Sequence, residues 1–470
     1  MANIAAYGAY IPFHRLSRDI VAKNWDLPSV PGEKAVASQD EDSITMAVEA
    51  GLDCLSGFDS KTVDALYFAS TTSPYLEKGA APIIACALDL REDIFTTDTG
   101  GSLRCGTSAL LQAMNAIDAG CIKSALVVVA DTRPPEPEGF YEFSFGDGAV
   151  AFLLNKKDGI ASLTEFCSIS NEIAGSWRQT KDTYVRQFDA RHEMEKGFIN
   201  SIKEAIGLLC KKAQFDIKSA SKVCTNPIDP RMAMVLAKSF GLDPMGQIQN
   251  FLPMMTANTG APYALMLGVG ALEVARPGDQ ILLANYGDGA DALLFEVNDG
   301  ISRAKEGRRG VSGYLEPKKM IETYGWYLKH KELLQRDRFT PKSSPSIYYR
   351  DKLAILNFYG VKCNACGAVQ YPINRACIEC SAKDQMELVK LAKKGKIFTF
   401  TLDHLVGGGY LQTPVPRAVV DLDGGGRAFF EITDAAPREI KINMEVELSF
   451  RLMHQGAGFR NYYWKARAAR

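Results

Sequence analysis

The segment ANYGDGADALLF, residues 284–295, repeats the pattern of an earlier one, FSFGDGAVAFLL at 143–154. Each copy has an aromatic residue, then Gly-Asp-Gly-Ala, and then an apolar run with the length of a strand. The preceding segments, ALLQAMNAIDAGCIKSALVVVA and ALMLGVGALEVARPGDQILLAN, also match, because each combines a helical stretch, a break at small residues and a buried strand. Chance recurrence of Gly-Asp-Gly is the less favoured alternative. We therefore predict two similar α/β halves that arose by duplication.

Strand-like and helix-like segments alternate over the first two-thirds of the chain. Short β-rich apolar runs at 61–70, 124–132 and 279–287 indicate buried strands, with Ala-rich helical stretches between them. This alternation is typical of an α/β fold. The composition changes after about residue 300, and the segment 336–346, rich in charge, Pro and Ser, is the predicted linker.

The segment CNACGAVQYPINRACIEC contains two Cys-x-x-Cys pairs, formed by Cys363, Cys366, Cys377 and Cys380. Four thiolates at this spacing close a tetrahedral zinc shell and leave no position for water, so they predict a structural zinc ribbon. With a leading helix, this ribbon is predicted over 347–385. Four unrelated buried cysteines are the alternative. Short strands and Gly turns follow over 386–470 and predict a small β-barrel.

Charge and composition limit the classes of partner. The 470 residues carry 54 Lys and Arg against 55 Asp and Glu, which gives no reason to expect nucleic acid or an anionic membrane surface. The apolar run 124–130 is too short to span a bilayer, and the N-terminal stretch 1–18 favours a first strand over a signal peptide. Eleven cysteines without an export signal favour thiols or metal ligands over disulfides, and a cytoplasmic location.

The duplicated region resembles the thiolase superfamily, and within it the branch of 3-hydroxy-3-methylglutaryl-CoA synthase and ketoacyl synthase III. The segments that carry the resemblance are DTGGSLRCGTSALLQAMNAI, FGDGAVAFLL, ANTGAPYALMLGVGALEVARPGDQILLANYGDG and TYGWYLKHKELL. The resemblance implies a five-layered thiolase-like domain over 1–335, with halves at about 1–165 and 166–335. It also implies a CoA thioester as substrate and a homodimer. The C-terminal region resembles the zinc-ribbon plus OB-fold proteins that accompany thiolase-like enzymes, which implies an OB-fold over 386–470.

The resemblance places altered residues where the synthases carry their catalytic groups. In an ungapped alignment on the Gly-Thr pair that follows, the nucleophilic cysteine corresponds to Leu103, and Cys105 falls two residues later, about 200° around a helix. The catalytic glutamate corresponds to Thr71 and the catalytic histidine to Thr225, whereas Asn258 in TANTG is retained. The pocket is therefore expected to be lined by Leu103, Thr71 and Thr225. Cys105 is either a small packing residue or a nucleophile brought into place by a local adjustment.

Polar groups remain beside the second Gly-Asp-Gly turn. Gly287 corresponds to the residue whose backbone N–H helps form the synthases' oxyanion hole. Asp288 is the predicted general base, since burial raises the basicity of a carboxylate, and a cap of its own turn is the alternative. Tyr286 can hydrogen-bond a carbonyl or take a proton from a hydroxyl, and Asn258 can orient a carbonyl through its amide.

One histidine is a candidate for the chemistry. His192 lies in VRQFDARHEMEKGF, which matches the region that covers the synthases' acceptor pocket. A position on a surface loop is the alternative.

Three functions compete. Aldol or retro-aldol chemistry on an acyl-CoA thioester needs a base, a proton donor and a stabilised enolate but no acyl-enzyme, and it is the favoured hypothesis. This step rests on analogy with thiolase-like aldolases that pair with zinc-ribbon/OB-fold partners. The alternatives are a Claisen-type acyltransferase that uses Cys105 and a non-catalytic thioester-binding subunit of a larger assembly.

Overall fold

The computed structural model describes residues 2–157, 159–249, 251–304, 306–334, 341–406 and 409–470, which separate into two units. The first unit runs to Lys331, apart from two short segments. The second unit consists of Glu332–Arg470 and those two segments, Gln39–Glu41 and Cys86–Asp89. The predicted linker at 336–346 lies outside the described residues as far as residue 340.

The first half of the first unit follows the predicted alternation of strands and helices. Its elements are β1 (Asn3–Tyr10), β2 (His14–Ser17), α1 (Arg18–Asn24), β3 (Glu33–Val36), α2 (Ser43–Cys54), β4 (Ala65–Ala69), α3 (Ala81–Ala87), β5 (Phe95–Thr99), α4 (Cys105–Asp118), β6 (Ser124–Thr132) and β7 (Asp147–Asn155). A 3-10 turn lies at Ser60–Thr62.

The second half repeats much of this order. Its elements are β8 (Ala161–Ser170), α5 (Ala190–His192), a π-helix (Glu193–Ile199), α6 (Asn200–Ala213), β9 (Lys222–Thr225), α7 (Arg231–Phe240), α8 (Tyr263–Leu272), β10 (Gln280–Tyr286), β11 (Gly289–Val297), α9 (Gly310–Leu315), β12 (Lys319–Met320) and α10 (Tyr324–His330). Shorter 3-10 turns lie at Ile217–Ser219, Leu252–Met254 and Asp299–Arg303.

The central sheet confirms the predicted duplication. Its strand order is β5-β4-β6-β7-β1-β8-β11-β10-β9. In the first half, β4 and β6 pair in parallel, and the next two pairs, β6-β7 and β7-β1, are antiparallel. In the second half, β9 and β10 pair in parallel, and the next two pairs, β10-β11 and β11-β8, are antiparallel. An isolated parallel bridge of Ile248 to Val223 takes the place that β5 has beside β4. Each Gly-Asp-Gly turn therefore joins an equivalent pair of strands.

Helices on both faces complete the five-layered arrangement. Helix α2 packs on β1, β6 and β7, and α6 packs on β8, β10 and β11. Helix α4 packs on β4 and β6, and α8 packs on β9 and β10. These two helices meet, because a Cβ added to Gly106 of α4 would lie 2.9 Å from the Leu265 side chain of α8. The N-terminal part of α4 is thereby fixed against α8.

The second unit contains the ribbon and the barrel. Its elements are α11 (Pro345–Arg350), α12 (Lys352–Ile355), β13 (Tyr359–Cys363), β14 (Val369–Gln370), β15 (Met386–Lys390), β16 (Lys394–Asp403), β17 (Val415–Leu422), β18 (Arg427–Glu431), β19 (Glu445–Gly456) and β20 (Phe459–Ala468), with a 3-10 turn at Pro437–Glu439. The order β18-β17-β16-β19-β20 is closed by a parallel bridge of Ile432 to Ala466, which confirms the predicted barrel. Phe430, Phe450 and Trp464 fill its interior.

Among the described residues, the helices fall short of the combined length and hydropathy that a membrane crossing requires.

Candidate functional site

The N-terminus of α4 faces the second Gly-Asp-Gly turn. A Cβ added to Gly287 would stand 3.1 Å from the Leu103 Cβ and 2.9 Å from the Arg104 nitrogen, so the turn and the start of the helix are in contact. The Asn285 amide donates to the Leu103 carbonyl at 3.2 Å, and the Arg104 guanidinium donates to the Gly287 carbonyl. The structure thus brings Leu103 and Gly287 together. The Gly287 N–H, the expected oxyanion donor, donates to the Gly289 carbonyl at 3.1 Å.

Cys105 is the first residue of α4 and is buried, with 2% of its surface exposed. Burial, and secondarily the charge of Asp131, raises the pKa of the Cys105 thiol well above its ordinary value. A nucleophilic cysteine requires the opposite shift, because the thiolate is the reactive form. The geometry therefore supports the packing interpretation of Cys105.

Asp131, at the end of β6, organises the loop that follows β4. Its fully buried carboxylate accepts hydrogen bonds from the Thr71 N–H at 2.7 Å, from the Thr71 hydroxyl at 2.9 Å and from the Ala261 N–H at 2.8 Å. The Thr71 hydroxyl therefore donates a structural hydrogen bond inside the protein. Asp131 was not among the residues predicted for the site, although an acidic residue near the end of a buried strand is a recognisable signal.

Two buried asparagines hold the backbone beside Tyr286. The Asn226 side chain accepts from the Tyr286 N–H at 2.7 Å and donates to the Tyr286 carbonyl at 2.9 Å. The Asn258 amide donates to the Asn226 and Pro227 carbonyls at 3.3 and 3.1 Å, and its oxygen accepts from Gly260. Thr225, buried at the end of β9, precedes Asn226. The amide N–H groups of Asn258 are thus engaged inside the protein, contrary to the expectation that they orient a substrate carbonyl.

Asp288 lies on the surface, so the expectation of a buried carboxylate there is wrong. The Asp288 backbone has a left-handed φ of 51°, and its carbonyl accepts a hydrogen bond from the Arg104 guanidinium at 3.0 Å. The equivalent residue of the first turn, Asp147, is buried and accepts from the Lys331 ammonium at 2.8 Å and from the Ala37 N–H at 2.7 Å. The two turns therefore use their aspartates differently.

His192 is also exposed, and its backbone N–H donates to the Asp189 side chain at 3.1 Å. The expectation that His192 lies near the chemistry is not supported, and the surface alternative describes it.

The residue after His192 is buried. Glu193 begins the π-helix with 4% of its surface exposed, and its carboxylate accepts from the Tyr141 hydroxyl at 3.2 Å and from the Ser176 N–H at 3.1 Å. Burial is the main cause that raises the pKa of the Glu193 carboxyl above its ordinary value. Burial raises the pKa of Tyr141 as well, so its hydroxyl stays protonated and serves as a donor. A carboxylate in this environment is suited to proton transfer.

Tyr286 and Arg133 complete this group. A Cβ at Gly175 would stand 3.0 Å from a Glu193 carboxylate oxygen and 3.3 Å from the Tyr286 hydroxyl, so both oxygens border the same glycine. The positive charge of the buried Arg133 guanidinium lowers the pKa of both Glu193 and Tyr141 and so partly opposes the effect of burial. We call Glu193, Tyr141, Tyr286 and Arg133 the Glu193 cluster. Glu193 was not among the residues predicted for the site, because its sequence neighbours, ARHEMEK, are typical of a surface segment.

An open cleft of about 690 Å³ adjoins the Glu193 cluster. Residues of the segments 136–141 and 177–188 line it, and Tyr141 belongs to both the cleft and the cluster. Arg178, in the lining segment 177–188, donates to the Thr71 carbonyl at 3.1 Å, which joins this segment to the loop after β4. The cleft and the Glu193 cluster are therefore connected through Tyr141.

The four cysteines of the second unit form the predicted metal centre. Their sulfurs all lie within 4.8 Å of one another, with 3.7 Å between Cys363 and Cys380 and 3.6 Å between Cys366 and Cys377. Four sulfurs at about 2.3 Å from a tetrahedral zinc ion are about 3.8 Å apart, so the cluster fits zinc. This is a structural zinc site.

The duplicated sheet, the α4 N-terminus against the Gly-Asp-Gly turn and the appended ribbon and barrel define a thiolase-like protein with a zinc-ribbon and OB-fold extension. The first unit is similar to hydroxymethylglutaryl-CoA synthases. Identity is 30% over 335 residues with that of Thermococcus gammatolerans, covering 70% of this chain and 95% of the relative. With that of Methanopyrus kandleri it is 29% over 344 residues, covering 71% and 98%. The chain belongs to the hydroxymethylglutaryl-CoA synthase family.

Comparisons of structure and of family models agree with this assignment. A crystal structure of HMG-CoA synthase complexed with CoA matches with a TM-score of 0.65 and 16% identity over 73% of this chain and 94% of the other, which shows the shared fold. Residues 350–387 match the ChsH2 rubredoxin-like zinc ribbon domain, and residues 388–451 match the ChsH2 C-terminal OB-fold domain. The resemblance predicted from the sequence is confirmed.

Proposed function

We propose that this protein makes or breaks a carbon–carbon bond in an acyl-CoA thioester by aldol or retro-aldol chemistry, without an acyl-cysteine. The relationship to hydroxymethylglutaryl-CoA synthases supports the acyl-CoA substrate. One observation carries the choice of mechanism: the thiol is missing at Leu103 and the nearby Cys105 is buried, whereas the Glu193 cluster provides a buried acid–base group. This chemistry needs proton transfer and enolate stabilisation but no protein nucleophile.

Glu193 takes over the role of general base that was expected of Asp288. In the cleavage direction, the Tyr141 hydroxyl takes the proton from the 3-hydroxyl of the substrate while it passes its own proton to the Glu193 carboxylate, 3.2 Å away. The electron pair of the C2–C3 bond moves to C2, so that a carbonyl compound leaves and a thioester enolate remains. The proton held by Glu193 then returns through the Tyr141 hydroxyl to C2 of the enolate, which regenerates the Glu193 carboxylate. The Tyr286 hydroxyl, which borders the same glycine as Glu193, is the proposed donor to the enolate oxygen.

The test uses the full-length protein and a panel of 3-hydroxyacyl-CoA thioesters. We expect release of a carbonyl product and a shortened acyl-CoA, detected by mass spectrometry, and retention of most of this activity in Cys105→Ser. Intact protein recovered from the reaction carries no acyl adduct. The non-catalytic alternative is favoured if the thioesters bind but none of them is cleaved, and if none of them forms when the protein is supplied with the carbonyl compound and the shorter acyl-CoA.

Family membership is the specific observation in favour of a second candidate, a Claisen-type condensation through Cys105. Cys105 begins α4, and a helix N-terminus favours a thiolate. Incubation with acetyl-CoA followed by peptide mapping distinguishes the two mechanisms. An acetyl group on Cys105, together with a loss of several orders of magnitude in Cys105→Ser, establishes the Claisen-type reaction and refutes the proposal.

A further inference from the structure

The cleft beside the Glu193 cluster is lined by five aromatic rings. They belong to Phe140, Tyr141, Trp177, Tyr184 and Phe188. Phe188 is 79% exposed and Phe140 is 50% exposed, so both present their rings to the open space. Large exposed aromatic side chains that converge on one concavity are typical of a ligand site.

The rings are held by the surrounding backbone. Trp177 and Arg186 exchange both backbone hydrogen bonds, at 3.0 and 2.8 Å, which makes a small hairpin of the segment between them. The Val185 N–H donates to the Pro134 carbonyl at 3.2 Å and joins this hairpin to the other wall. The Trp177 and Phe188 rings contact each other with centroids 4.5 Å apart. The aromatic wall is therefore built into the fold of these segments.

The charges that line the cleft balance. Glu136 and Asp182 are opposed by Lys181 and Arg186, and Arg186 is paired with Asp182 at 2.5 Å. The nucleotide end of CoA carries several phosphate charges and requires a surplus of cationic side chains. The cleft suits an uncharged apolar group better than this nucleotide end.

We infer that this cleft binds a bulky apolar part of the substrate, a ring-containing or branched group on the carbonyl side of the bond that is made or broken. An acetyl-sized group occupies a small part of a 690 Å³ cleft, whereas a ring contacts the aromatic walls and is removed from water. The position of Tyr141, in both the cleft and the Glu193 cluster, sets the bound group next to the proton-transfer pair. This inference rests on the proposed function, because it assigns the substrate class of the same site.

The test measures binding by isothermal titration calorimetry on the full-length protein with CoA, acetyl-CoA and 3-phenylpropanoyl-CoA, which carries its ring on C3, the carbonyl side of the bond. We expect 3-phenylpropanoyl-CoA to bind at least ~10-fold more tightly than acetyl-CoA, since burial of a ring adds more than a factor of ten to an association constant. Phe188→Ala and Trp177→Ala each reduce this preference severalfold and leave the Kd of CoA unchanged. The control is Tyr349→Ala, which removes an aromatic ring that is 83% exposed in the second unit and keeps the wild-type preference.

Two results overturn the inference. One is equal affinity of the wild type for acetyl-CoA and 3-phenylpropanoyl-CoA. The other is that the cleft variants weaken binding of CoA as much as binding of 3-phenylpropanoyl-CoA, which would assign the cleft to CoA itself. If Trp177→Ala does not fold, Phe188→Ala decides alone, since the Phe188 ring is mostly exposed. Binding does not depend on turnover. A retained preference without carbon–carbon cleavage therefore refutes only the proposed reaction, and cleavage without a preference refutes only the assignment of the cleft.

Discussion

Glu193→Gln is the most informative single substitution. The amide is nearly isosteric with the carboxylate. Its oxygen can accept from the Ser176 N–H, which donates to one carboxylate oxygen at 3.1 Å, and its NH2 group can donate to the Tyr141 hydroxyl, which lies 3.2 Å from the other. The variant also removes a buried charge, so we expect its melting temperature to stay close to that of the wild type. What it cannot do is take up a proton. Any large loss of activity then reports proton transfer rather than folding.

The expected loss in kcat follows from the role of a general base, which contributes about 10²–10⁴-fold, or about 3–5 kcal/mol of activation free energy. Tyr141→Phe interrupts the same transfer one atom earlier, so its loss is of similar size, and the double variant is scarcely worse than either single one. Asp288→Asn is the matched control. Because Asp288 is exposed, its variant keeps kcat within about a factor of three, the scatter expected of a surface substitution.

The pH profile separates catalysis from structure. The base must be ionised, so kcat/KM rises with pH as Glu193 loses its proton. Since burial raises the pKa of Glu193, this rise occurs at a higher pH than for an ordinary glutamate. This rise of kcat/KM with pH is absent in Glu193→Gln and is retained in Asp288→Asn. The assignment of the base is refuted if kcat is unchanged in Glu193→Gln, or if the large loss in kcat is found in Asp288→Asn instead.

Four further predictions concern the rest of the chain. Elemental analysis of gently purified protein yields one zinc per chain, and Cys363→Ser or chelation unfolds the ribbon, as detected by limited proteolysis of the second unit. Gly197→Ala drives a Cβ into the Tyr286 hydroxyl and lowers kcat with little change in the Kd of CoA; a fully active variant would show that this hydroxyl is not needed. Burial and the neighbouring Lys331 lower the pKa of Lys34 to about 7 from 10.5, so the unfolded chain binds more protons between these values and the free energy of unfolding rises with pH there. Urea titrations at pH 7 and 9.5 show a smaller rise in Lys34→Met. The homodimer implied by the resemblance sediments at twice 51.4 kDa, and a 51.4 kDa species at micromolar concentration contradicts it.

The architecture was predictable because its signals are local. The Gly-Asp-Gly turns and the apolar runs around them specify strand pairs within about a dozen residues, and two matched copies specify a duplication. The ribbon was predictable from ligand spacing alone, since two Cys-x-x-Cys pairs leave few other structures. Both predictions are confirmed.

The site was less predictable because burial of polar side chains depends on distant contacts. Glu193 stands among charged residues of a segment typical of a surface, yet Tyr141, 52 positions earlier, covers it. Asn226 was not among the residues predicted for the site, and its role is visible only through Tyr286, 60 positions later. Sequence periodicity indicates which face of an element is apolar, but it does not indicate which carboxylate a remote loop will cover.

The two Gly-Asp-Gly turns show how far identical local sequence leaves the chemistry undetermined. In the first turn, Asp147 is bound by Lys331, 184 positions away, and this buried ion pair fixes the turn as structure. In the second turn, the cation is Arg104, which donates to the carbonyls of Gly287 and Asp288 and to the buried Asp291 carboxylate, and the aspartate side chain is left pointing outward. Arg104 therefore holds the second turn through its backbone carbonyls and through Asp291. The same four residues therefore give a buried ion pair in one copy and an exposed carboxylate in the other, and the base had to be sought outside the turn, at Glu193.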